Sequence, residues 1–208
     1  YTYDKLGNVE TGTNALGETT RYTYDKEARR LDTINPMGYT SSVRYDALGN
    51  VETTIDAEGR KTKTVYDERG NAKYQYDGNQ QLVASMTYDA ASNLETVTDG
   101  LGHTTTNTYT NMNQLKTSTN ALGQKKIRSY DNRGNLKEVV DPPTQDRTQS
   151  VVTTAAYNAK GQVTSITDPE GNVQSYQYDT LGNLKYEHTP FGGTYAYTYN
   201  DLELLETK

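Results

Sequence analysis

The fold is decided by the stretch Tyr45-Asp46-Ala47-Leu48-Gly49-Asn50-Val51-Glu52-Thr53-Thr54-Ile55-Asp56-Ala57-Glu58-Gly59, because close copies of it follow one another along the chain. The tyrosine that opens each copy recurs at Tyr3, Tyr24, Tyr45, Tyr66, Tyr88, Tyr109, Tyr130, Tyr157, Tyr178 and Tyr199. The successive spacings are 21, 21, 21, 22, 21, 21, 27, 21 and 21 residues. A fixed period of this length indicates a repeat architecture. We therefore expect residues 1–208 to form one repeat array that is partial at both ends.

Composition limits the kind of core that this chain can build. Hydrophobic residues make up 32% of the 208 residues, and the aromatic ones are 19 Tyr, one Phe and no Trp. So few aliphatic side chains cannot fill a thick core. The regular spacing of aromatic and β-branched residues between turn signals argues against disorder. The apolar surface that folding covers must therefore belong largely to tyrosine.

Charge and residue usage exclude several partners. The net charge is −6, and no run of Lys or Arg exceeds two residues, so nucleic acid is not expected as a partner. No stretch approaches the ~18 apolar residues of a membrane span. Cysteine is absent, which excludes disulfides and thiolate metal sites. Both ends of the sequence resemble interrupted strands, so we expect the chain to be cut from a longer array.

Each copy contains two turn sequences about half a period apart, such as Asp46-Ala47-Leu48-Gly49 and Asp56-Ala57-Glu58-Gly59. Asp or Asn caps the first position of a type I turn, and Gly accepts positive φ at the fourth. Pro36, Pro169 and Pro190 stand second, where a φ of about −65° is needed. We therefore predict hairpins with left-handed glycine at Gly7, Gly17, Gly49, Gly59, Gly123, Gly134, Gly171 and Gly182.

The segments between turns are rich in Thr, Val and Tyr and are suited to strands, whereas none carries a helical apolar stripe. The predicted fold is all-β: a continuous antiparallel up-and-down ribbon of β-hairpins, one repeat of about 21 residues after another. Alternation places the marker tyrosines on one face as a ladder. Because the aliphatic residues are too few to pack a second sheet, we expect a thin wall that twists and curves into part of a hollow shell.

Three departures from the repeat predict local irregularities. Asp25-Lys26-Glu27-Ala28 lacks the turn glycine, so we expect a longer turn there. One additional residue follows Asp77 before Tyr88. Six extra residues near 142–150 enlarge a loop, and because loops accept length at small cost, we interpret them as a tolerated insertion. A partner-binding loop is the alternative.

The unit Tyr-Asp-x-x-Gly-Asn-Leu/Val followed by a second glycine turn resembles the YD repeat of the RHS family. That family comprises bacterial wall-associated and polymorphic toxin proteins, with relatives in toxin complexes and animal teneurins. The match is nearly unbroken in Tyr3 to Val9, Tyr45 to Val51 and Tyr178 to Leu184. The resemblance implies a β-strip wound into a hollow spiral shell around a C-terminal toxin or other cargo. The self-cleaving core region of the family has no counterpart in this sequence.

The sequence offers no convincing catalytic group, and we predict neither an enzyme nor a cofactor. His103 and His188 are the only imidazoles and lie four repeats apart, without a nucleophile motif near either. Almost every Asp stands first in a turn, where its side chain caps backbone N–H groups. Calcium is disfavoured because neither the β-roll nonapeptide nor the EF-hand spacing is present.

Two functional hypotheses follow. The first is a structural segment of a secreted or cell-surface, wall-associated bacterial protein, with the neighbouring repeats and a C-terminal cargo as its partners. The alternative is an adhesion module that binds a cell-surface glycan through a tyrosine-lined face, with Tyr176 and Tyr178 as the residues that would contact the sugar. Against the glycan hypothesis, we favour a structural interpretation of that face, in which the rings pack on one another and their hydroxyls bond to strand neighbours.

Overall fold

The computed structural model describes residues 1–200 and 202–207, and every regular element in that part of the chain is a β-strand. No helix capable of crossing a membrane occurs within this range. The strands are β1 (Thr2–Tyr3), β2 (Val9–Thr13), β3 (Thr19–Tyr24), β4 (Arg30–Ile34), β5 (Thr40–Tyr45), β6 (Val51–Ile55), β7 (Lys61–Tyr66), β8 (Ala72–Tyr76), β9 (Leu82–Tyr88), β10 (Leu94–Asp99), β11 (Thr104–Tyr109), β12 (Leu115–Thr119), β13 (Lys125–Tyr130), β14 (Leu136–Asp141), β15 (Val151–Tyr157), β16 (Val163–Thr167), β17 (Val173–Tyr178), β18 (Leu184–His188), β19 (Thr194–Ala196), β20 (Thr198–Tyr199) and β21 (Leu205–Thr207).

The chain divides into two units, Tyr1–Thr104 and Thr105–Lys208, and both are meanders. In the first unit each strand pairs antiparallel with the next, from β1–β2 through β9–β10. In the second, β11 through β19 pair in the same way, and β20 pairs with β21 as a separate hairpin. The prediction of an all-β ribbon of antiparallel hairpins is therefore confirmed.

Apart from the one with the insertion at 142–150, the described hairpins are closed by loops of one kind. In the loop after Tyr45, the N–H of Asp46 donates to the Asn50 carbonyl at 2.8 Å, and the N–H of Gly49 donates to the Asp46 carbonyl at 3.1 Å. The same two bonds recur along both sides of the ribbon. We call the side whose loops follow the marker tyrosines the YD margin, and the side whose loops start at residues 14, 35, 56, 77, 99, 120, 168 and 189 the far margin. The eight glycines singled out from the sequence all have positive φ, between 78° and 108°.

A β-bulge follows the loops of the YD margin: in each of these hairpins, the strand register shifts by one residue directly after the loop. Tyr45 stands opposite Val51, whereas Arg44 stands opposite Thr53, so Glu52 is the extra residue. The register shifts in the same way between β7 and β8 and between β13 and β14. A bulge leaves one residue out of the hydrogen-bond ladder and sharpens the local twist.

The expectation of a longer turn after Tyr24 is wrong. The N–H of Asp25 donates to the Arg29 carbonyl at 3.0 Å, as in the other loops, and Ala28 takes the glycine position at a φ of 59°. The two flanking loop bonds hold Ala28 in a conformation that alanine rarely adopts. The loop that begins at Asp77 has the same two bonds as the others, so the extra residue between Asp77 and Tyr88 lies elsewhere. Gln75 pairs with Ala84 and Tyr76 with Leu82, so the extra residue is Val83, which forms a bulge inside β9.

The insertion at 142–150 is ordered by its own contacts. Thr144 and Arg147 form a β-bridge. The Arg147 guanidinium donates to the carbonyls of Pro142 at 2.7 Å and Gln149 at 3.0 Å. The loop connects β14 to β15, and these two strands pair without any shift in register.

No apolar side chain among the described residues is fully buried, and Thr117, 7% exposed, is the one buried polar residue in that range. The solvent-accessible surface area is 14224 Å². A compact protein of 23.2 kDa exposes roughly 9,700 Å². The excess is what a sheet without a second layer exposes. Hydrogen bonds and half-covered side chains, rather than a core, must hold the hairpins together.

The left-handed loop position generates a stability prediction. Gly17→Ala should lower the free energy of unfolding by about 1 kcal/mol, because alanine is strained at a φ of 81°. No atom lies within 4 Å of the added Cβ, so the effect isolates the backbone. The reverse change, Ala28→Gly, should raise stability by about 0.5 kcal/mol, because relief of strain exceeds the added entropy of the unfolded chain.

Urea unfolding followed by far-UV circular dichroism measures both changes as midpoint shifts. A downward shift for Ala28→Gly would show that this loop does not strain alanine.

Candidate functional site

The marker tyrosines form the most regular side-chain feature of the molecule. For eight of them, the hydroxyl donates to the carbonyl of the first residue of the preceding strand, as in Tyr66 to Val51 at 2.8 Å. The other pairs are Tyr24–Val9, Tyr45–Arg30, Tyr88–Ala72, Tyr130–Leu115, Tyr157–Leu136, Tyr178–Val163 and Tyr199–Leu184, at 2.8 to 3.1 Å. Each bond ties one repeat to the repeat before it. We call this contact the tyrosine clamp.

The position of the acceptor carbonyl explains why it needs a side-chain donor. Val51 stands opposite Tyr45 next to the bulge at Glu52. On its other side, the registered pairs between β6 and β7 begin only at Thr53–Lys63. Backbone donors of the next strand therefore do not reach Val51, and a carbonyl left without a partner would cost about 1–3 kcal/mol. The clamp supplies the missing donor.

The clamp survives both insertions of the sequence. Most clamps join residues 15 apart, whereas Tyr88 reaches back 16 residues and Tyr157 reaches back 21. The single extra residue is absorbed at Val83, and the six extra residues are absorbed in the loop at 142–150. The contact between the tyrosine and the strand is thus kept even where the number of residues between them changes. Burial raises the pKa of Tyr88 and Tyr178, as expected for phenols that are partly removed from water.

The first loop residue caps the turn with its side chain. Asp46 Oδ1 accepts the N–H of Leu48 at 2.9 Å and that of Asn50 at 2.8 Å, and Oδ2 accepts Asn50 Nδ2 at 2.9 Å. The bond from the Asn50 side chain is the main reason why the pKa of Asp46 lies below its ordinary value. Asp67, Asp89, Asp131 and Asp168 have lowered pKa values for the same reason.

The first and fifth loop residues are chosen as a hydrogen-bonding pair. Where the first residue is Asp, the fifth is a donor, as in Asp56 with Arg60 Nε at 2.6 Å. Where the first is Asn, the fifth can be an acceptor, as in Asn14 Nδ2 with Glu18 Oε2 at 2.7 Å and Asn120 Nδ2 with Gln124 Oε1 at 2.8 Å. We call this the pairing rule: in such a loop, one of the two side chains donates and the other accepts, and the donor can be either the first or the fifth residue. The loops that begin at Asn35 and Asn200 have Tyr39 and Leu204 in the fifth position and do not follow this pattern.

Side chains of the YD margin also link consecutive loops. Arg69 Nη1 donates to the Ala90 carbonyl at 2.9 Å, Arg133 Nη1 to that of Ala159 at 2.6 Å, and Lys160 Nζ to that of Thr180 at 2.9 Å. Glutamine in the fifth position does the same, from Gln114 to the Gly134 carbonyl and from Gln162 to that of Gly182, both at 2.7 Å. These links act beside the tyrosine clamp and stiffen the same margin.

The histidines and carboxylates are placed as parts of the sheet. His103 Nδ1 lies 3.0 Å from Asp99 Oδ2, which repeats the pairing of first and fifth loop residues. His188 stacks on Tyr186 with ring centroids 6.2 Å apart and lies 3.0 Å from the hydroxyl of Thr194. Within the residues that the structure describes, no cluster of three or more His, Asp or Glu side chains is suited to holding a metal ion.

The two tyrosines of the glycan hypothesis line a shallow groove of about 370 Å³ together with Asn158, Lys160, Gln162 and Asp179. The hydroxyl of Tyr178 is used by its clamp, at 2.9 Å from the Val163 carbonyl. Burial, with a contribution from Glu187, raises the pKa of Tyr176. Aromatic rings and several polar groups therefore line the groove, but the hydroxyl of Tyr178 is already bonded.

Glu187 is a residue that sequence reasoning missed. Its carboxylate accepts Tyr197 Oη at 2.6 Å and Gln174 Nε2 at 2.7 Å. The bond to this carboxylate raises the pKa of Tyr197 to about 12. No sequence signal marks the group, because Gln174 lies on β17, Glu187 on β18 and Tyr197 between β19 and β20, all outside the loop motif.

These features define a class of protein: a tandem array of antiparallel β-hairpins, each closed by a capped five-residue loop and tied to the previous one by a tyrosine. Residues 157–194 match the family model described as RHS Repeat. The loop, the bulge and the clamp of that segment recur in the other copies, so the segment that matches the RHS Repeat model is built like the rest of the array. No curated protein sequence matches it.

Solved structures share the fold. The crystal structure of TcdB2-TccC3-Cdc42 aligns with a TM-score of 0.69 at 18% identity, over 96% of this chain and 12% of that chain. The structure of the Photorhabdus luminescens Tc holotoxin pore with a mutation in TccC3 aligns with a TM-score of 0.67 at 20% identity, over 96% of this chain and 11% of that chain. The present chain thus spans about an eighth or less of the chains it resembles.

The clamp can be tested by removing one hydroxyl. Tyr130→Phe should lower the free energy of unfolding by about 1–2 kcal/mol, because the ring stays while the Leu115 carbonyl loses its donor. Tyr39→Phe is the matched control: its ring is 53% exposed on the far margin, and the change should stay within about 0.5 kcal/mol. Urea unfolding midpoints measure both. Equal effects of the two substitutions would contradict a special role for the clamp.

The pairing rule can be tested at residues 14 and 18. Asn14→Asp alone sets two carboxylates against each other and should destabilise the protein by roughly 0.5–1 kcal/mol at neutral pH. Adding Glu18→Arg rebuilds the pair found at Asp56 and Arg60, so the double variant should recover, with a coupling energy of about 1 kcal/mol.

Repulsion raises the pKa of the introduced carboxyl, so the penalty of the single variant should vanish as pH falls below about 4, where both carboxyls are protonated. Strictly additive effects in this double-mutant cycle, measured by urea unfolding, would refute the pairing rule.

Proposed function

We propose that the chain is a non-enzymatic wall segment of a secreted or cell-surface RHS-repeat protein, part of a β-shell that encloses a C-terminal toxin or other cargo and helps deliver it. The observation that carries the proposal is the single-layer construction, with no buried apolar side chain in the described range. A chain folded as a single-layer sheet covers a large area and encloses no core of its own.

The dimensions suit a wall. At a strand spacing of about 4.8 Å, the ten strands of the first unit extend over roughly 45 Å of sheet. The bulge after each loop of the YD margin adds twist on one side of the ribbon at every second strand. A bend repeated with the same hand at each repeat favours a curved strip over a flat one.

The mechanism that follows is confinement. A sheet whose strands are hydrogen-bonded edge to edge has no gap wide enough for a protease or for an unfolded chain to pass. Cargo behind such a wall is kept apart from proteases and from the producing cell until the wall opens. The chain's own contribution is mechanical: the clamps and capped loops keep the strip continuous across insertions.

The test uses two neighbouring alanines of β15. Ala155 pairs with Ile166 and Ala156 pairs with Ser165, so their side chains point to opposite faces of the sheet. The chain has no cysteine, so Ala155→Cys and Ala156→Cys each introduce one thiol here with little change in volume. In the isolated chain both thiols should react with a bulky maleimide-polyethylene glycol reagent.

In the longer protein that we propose, one of the two thiols should be protected and the other should stay reactive, as read from the labelled peptide by mass spectrometry. Protection should disappear when the shell is unfolded in urea. Equal labelling of both faces in the intact protein would rule out an enclosing wall.

A glycan-binding role is the second candidate, favoured by the groove beside Tyr176 and Tyr178. Saturable quenching of tyrosine fluorescence by a cell-wall polysaccharide, lost in Tyr176→Ala and kept in Tyr39→Ala, would support adhesion. The absence of saturable quenching would remove this candidate and leave the wall.

A further inference from the structure

Two loops of the far margin begin with the dipeptide Asp-Gly, at Asp77-Gly78 and at Asp99-Gly100, and the sequence has no other Asp-Gly and no Asn-Gly. In this dipeptide the main-chain nitrogen of glycine can attack the carboxyl group of the aspartate, because glycine has no side chain to shield that nitrogen. The other aspartates that open loops are followed by residues with side chains, such as Ala57. The sequence therefore contains two candidate sites for the conversion of aspartate to isoaspartate.

This conversion needs no reagent except water. The glycine nitrogen loses its proton and bonds to Cγ of the protonated carboxyl group, whose hydroxyl leaves with a proton as water. The product is a five-membered succinimide ring, to which water then adds. If the bond between Cγ and nitrogen breaks, aspartate is restored. If the bond between the main-chain carbonyl carbon and nitrogen breaks, isoaspartate forms, and its main chain runs through Cβ and Cγ.

At the second site, the structure holds both oxygens of the carboxylate. Asp99 Oδ1 accepts the N–H of Leu101 at 2.8 Å and that of His103 at 2.9 Å, and Oδ2 lies 3.0 Å from His103 Nδ1. The backbone bond from His103, followed by the bond from its side chain, holds the pKa of Asp99 below its ordinary value, which lowers the reactive protonated fraction. The glycine is also crowded, because a Cβ at Gly100 would lie 2.7 Å from the Leu82 carbonyl oxygen.

At the first site, only one oxygen is held. Asp77 Oδ1 accepts the N–H groups of Asn79 and Gln81, both at 2.9 Å. Within the residues that the structure describes, this is the one loop opened by aspartate in which the side chain of the fifth residue does not bond to Oδ2. In the same range, the N–H of Gly78 has no hydrogen-bond acceptor. The reacting nitrogen and half of the carboxylate are therefore unrestrained.

The surroundings of this first site leave room for the ring to close. Asp77 and Gly78 line an open groove of about 370 Å³ together with Lys61 and Tyr76, so water reaches both reacting groups. A Cβ at Gly78 would meet its nearest atom, the Lys61 carbonyl oxygen, at an ordinary contact distance of 3.4 Å. The fourth loop residue is Gln80 at a φ of 63°, which is strained without glycine and favours local opening of the loop.

We infer that Asp77 converts spontaneously to isoaspartate and that Asp99, in the same dipeptide, is protected from this modification by its second carboxylate bond. The inference goes beyond the proposed function and holds whether or not the chain encloses cargo. In isoaspartate the main chain passes through Cγ, so the cap on the N–H groups of Asn79 and Gln81 is lost. The hairpin of β8 and β9 should therefore weaken as the protein ages.

The test compares the two sites within one molecule, because a single tryptic peptide, residues 74–116, contains both of them. The folded chain is incubated for several weeks at neutral pH and physiological temperature, and isoaspartate is located by electron-transfer fragmentation of that peptide. Conversion at Asp77 should exceed conversion at Asp99 several-fold. In urea the two rates should become similar, because neither carboxylate is then held. Equal conversion in the folded chain, or none at Asp77 while the unfolded chain converts, would overturn the inference.

A pair of variants tests the second bond itself. Gln81→Arg supplies a donor for Oδ2, as Arg60 does for Asp56 at 2.6 Å, and should slow conversion at Asp77 several-fold. Asn79→Arg is the matched control, since it adds the same cation at the third loop position, where arginines of other loops bond to the next loop instead. It should leave the rate nearly unchanged. Equal slowing by both variants would show that charge, and not the bond, gives protection.

The loss of stability on ageing has a separate test. Gly78→Ala shields the nitrogen and should block conversion, and the fold accepts alanine in this loop position at Ala47 and Ala57. After the same incubation, the urea unfolding midpoint of the unchanged chain should fall as isoaspartate accumulates, whereas that of Gly78→Ala should stay constant. An equal fall in both proteins would show that the modification does not weaken the hairpin.

Discussion

The structure depends on one constraint: a chain with almost no aliphatic core must satisfy its backbone hydrogen bonds completely. The bulge after each loop of the YD margin breaks the ladder at a fixed place, and the tyrosine clamp repairs it from the next repeat. At about 1 kcal/mol for each bond, eight clamps contribute as much as the whole net stability of an ordinary domain, about 5–15 kcal/mol. Tyrosine is suited to this role because its ring covers the sheet while its hydroxyl reaches a backbone acceptor.

The loops solve the same problem at the margins. A first residue that caps two backbone N–H groups, a fourth residue with positive φ and, in most loops, a fifth residue whose side chain bonds to the first leave few polar groups unpaired. Asp25 with Arg29 and Asp56 with Arg60 show that the match tolerates charge, since both pairs contact at 2.6 to 2.7 Å. Because each loop is complete in itself, repeats can be added or varied without rebuilding their neighbours.

Local chemistry made the hairpins predictable from sequence. Asp or Asn in the first position and Gly in the fourth position set both the turn and the strand boundaries, and the period fixed their order. The sequence predicts that the tyrosine hydroxyls bond to neighbouring strands, but it predicts neither the bulge nor which atom accepts the bond. The bulge at Glu52 leaves no mark in the alternation of residue types, and the bond from Tyr66 to the Val51 carbonyl joins a side chain to a backbone atom 15 residues away. The left-handed Ala28 was missed because its neighbours, and not alanine itself, impose that conformation.

The lack of buried apolar side chains in the part of the chain that the structure describes has a thermal consequence. The heat capacity change of unfolding arises chiefly from apolar surface newly exposed to water, and polar surface contributes with the opposite sign. A sheet that already exposes most of its apolar surface has little more to expose. Its stability curve against temperature should accordingly be shallow, so that the hairpins weaken gradually on heating and show little tendency to unfold in the cold.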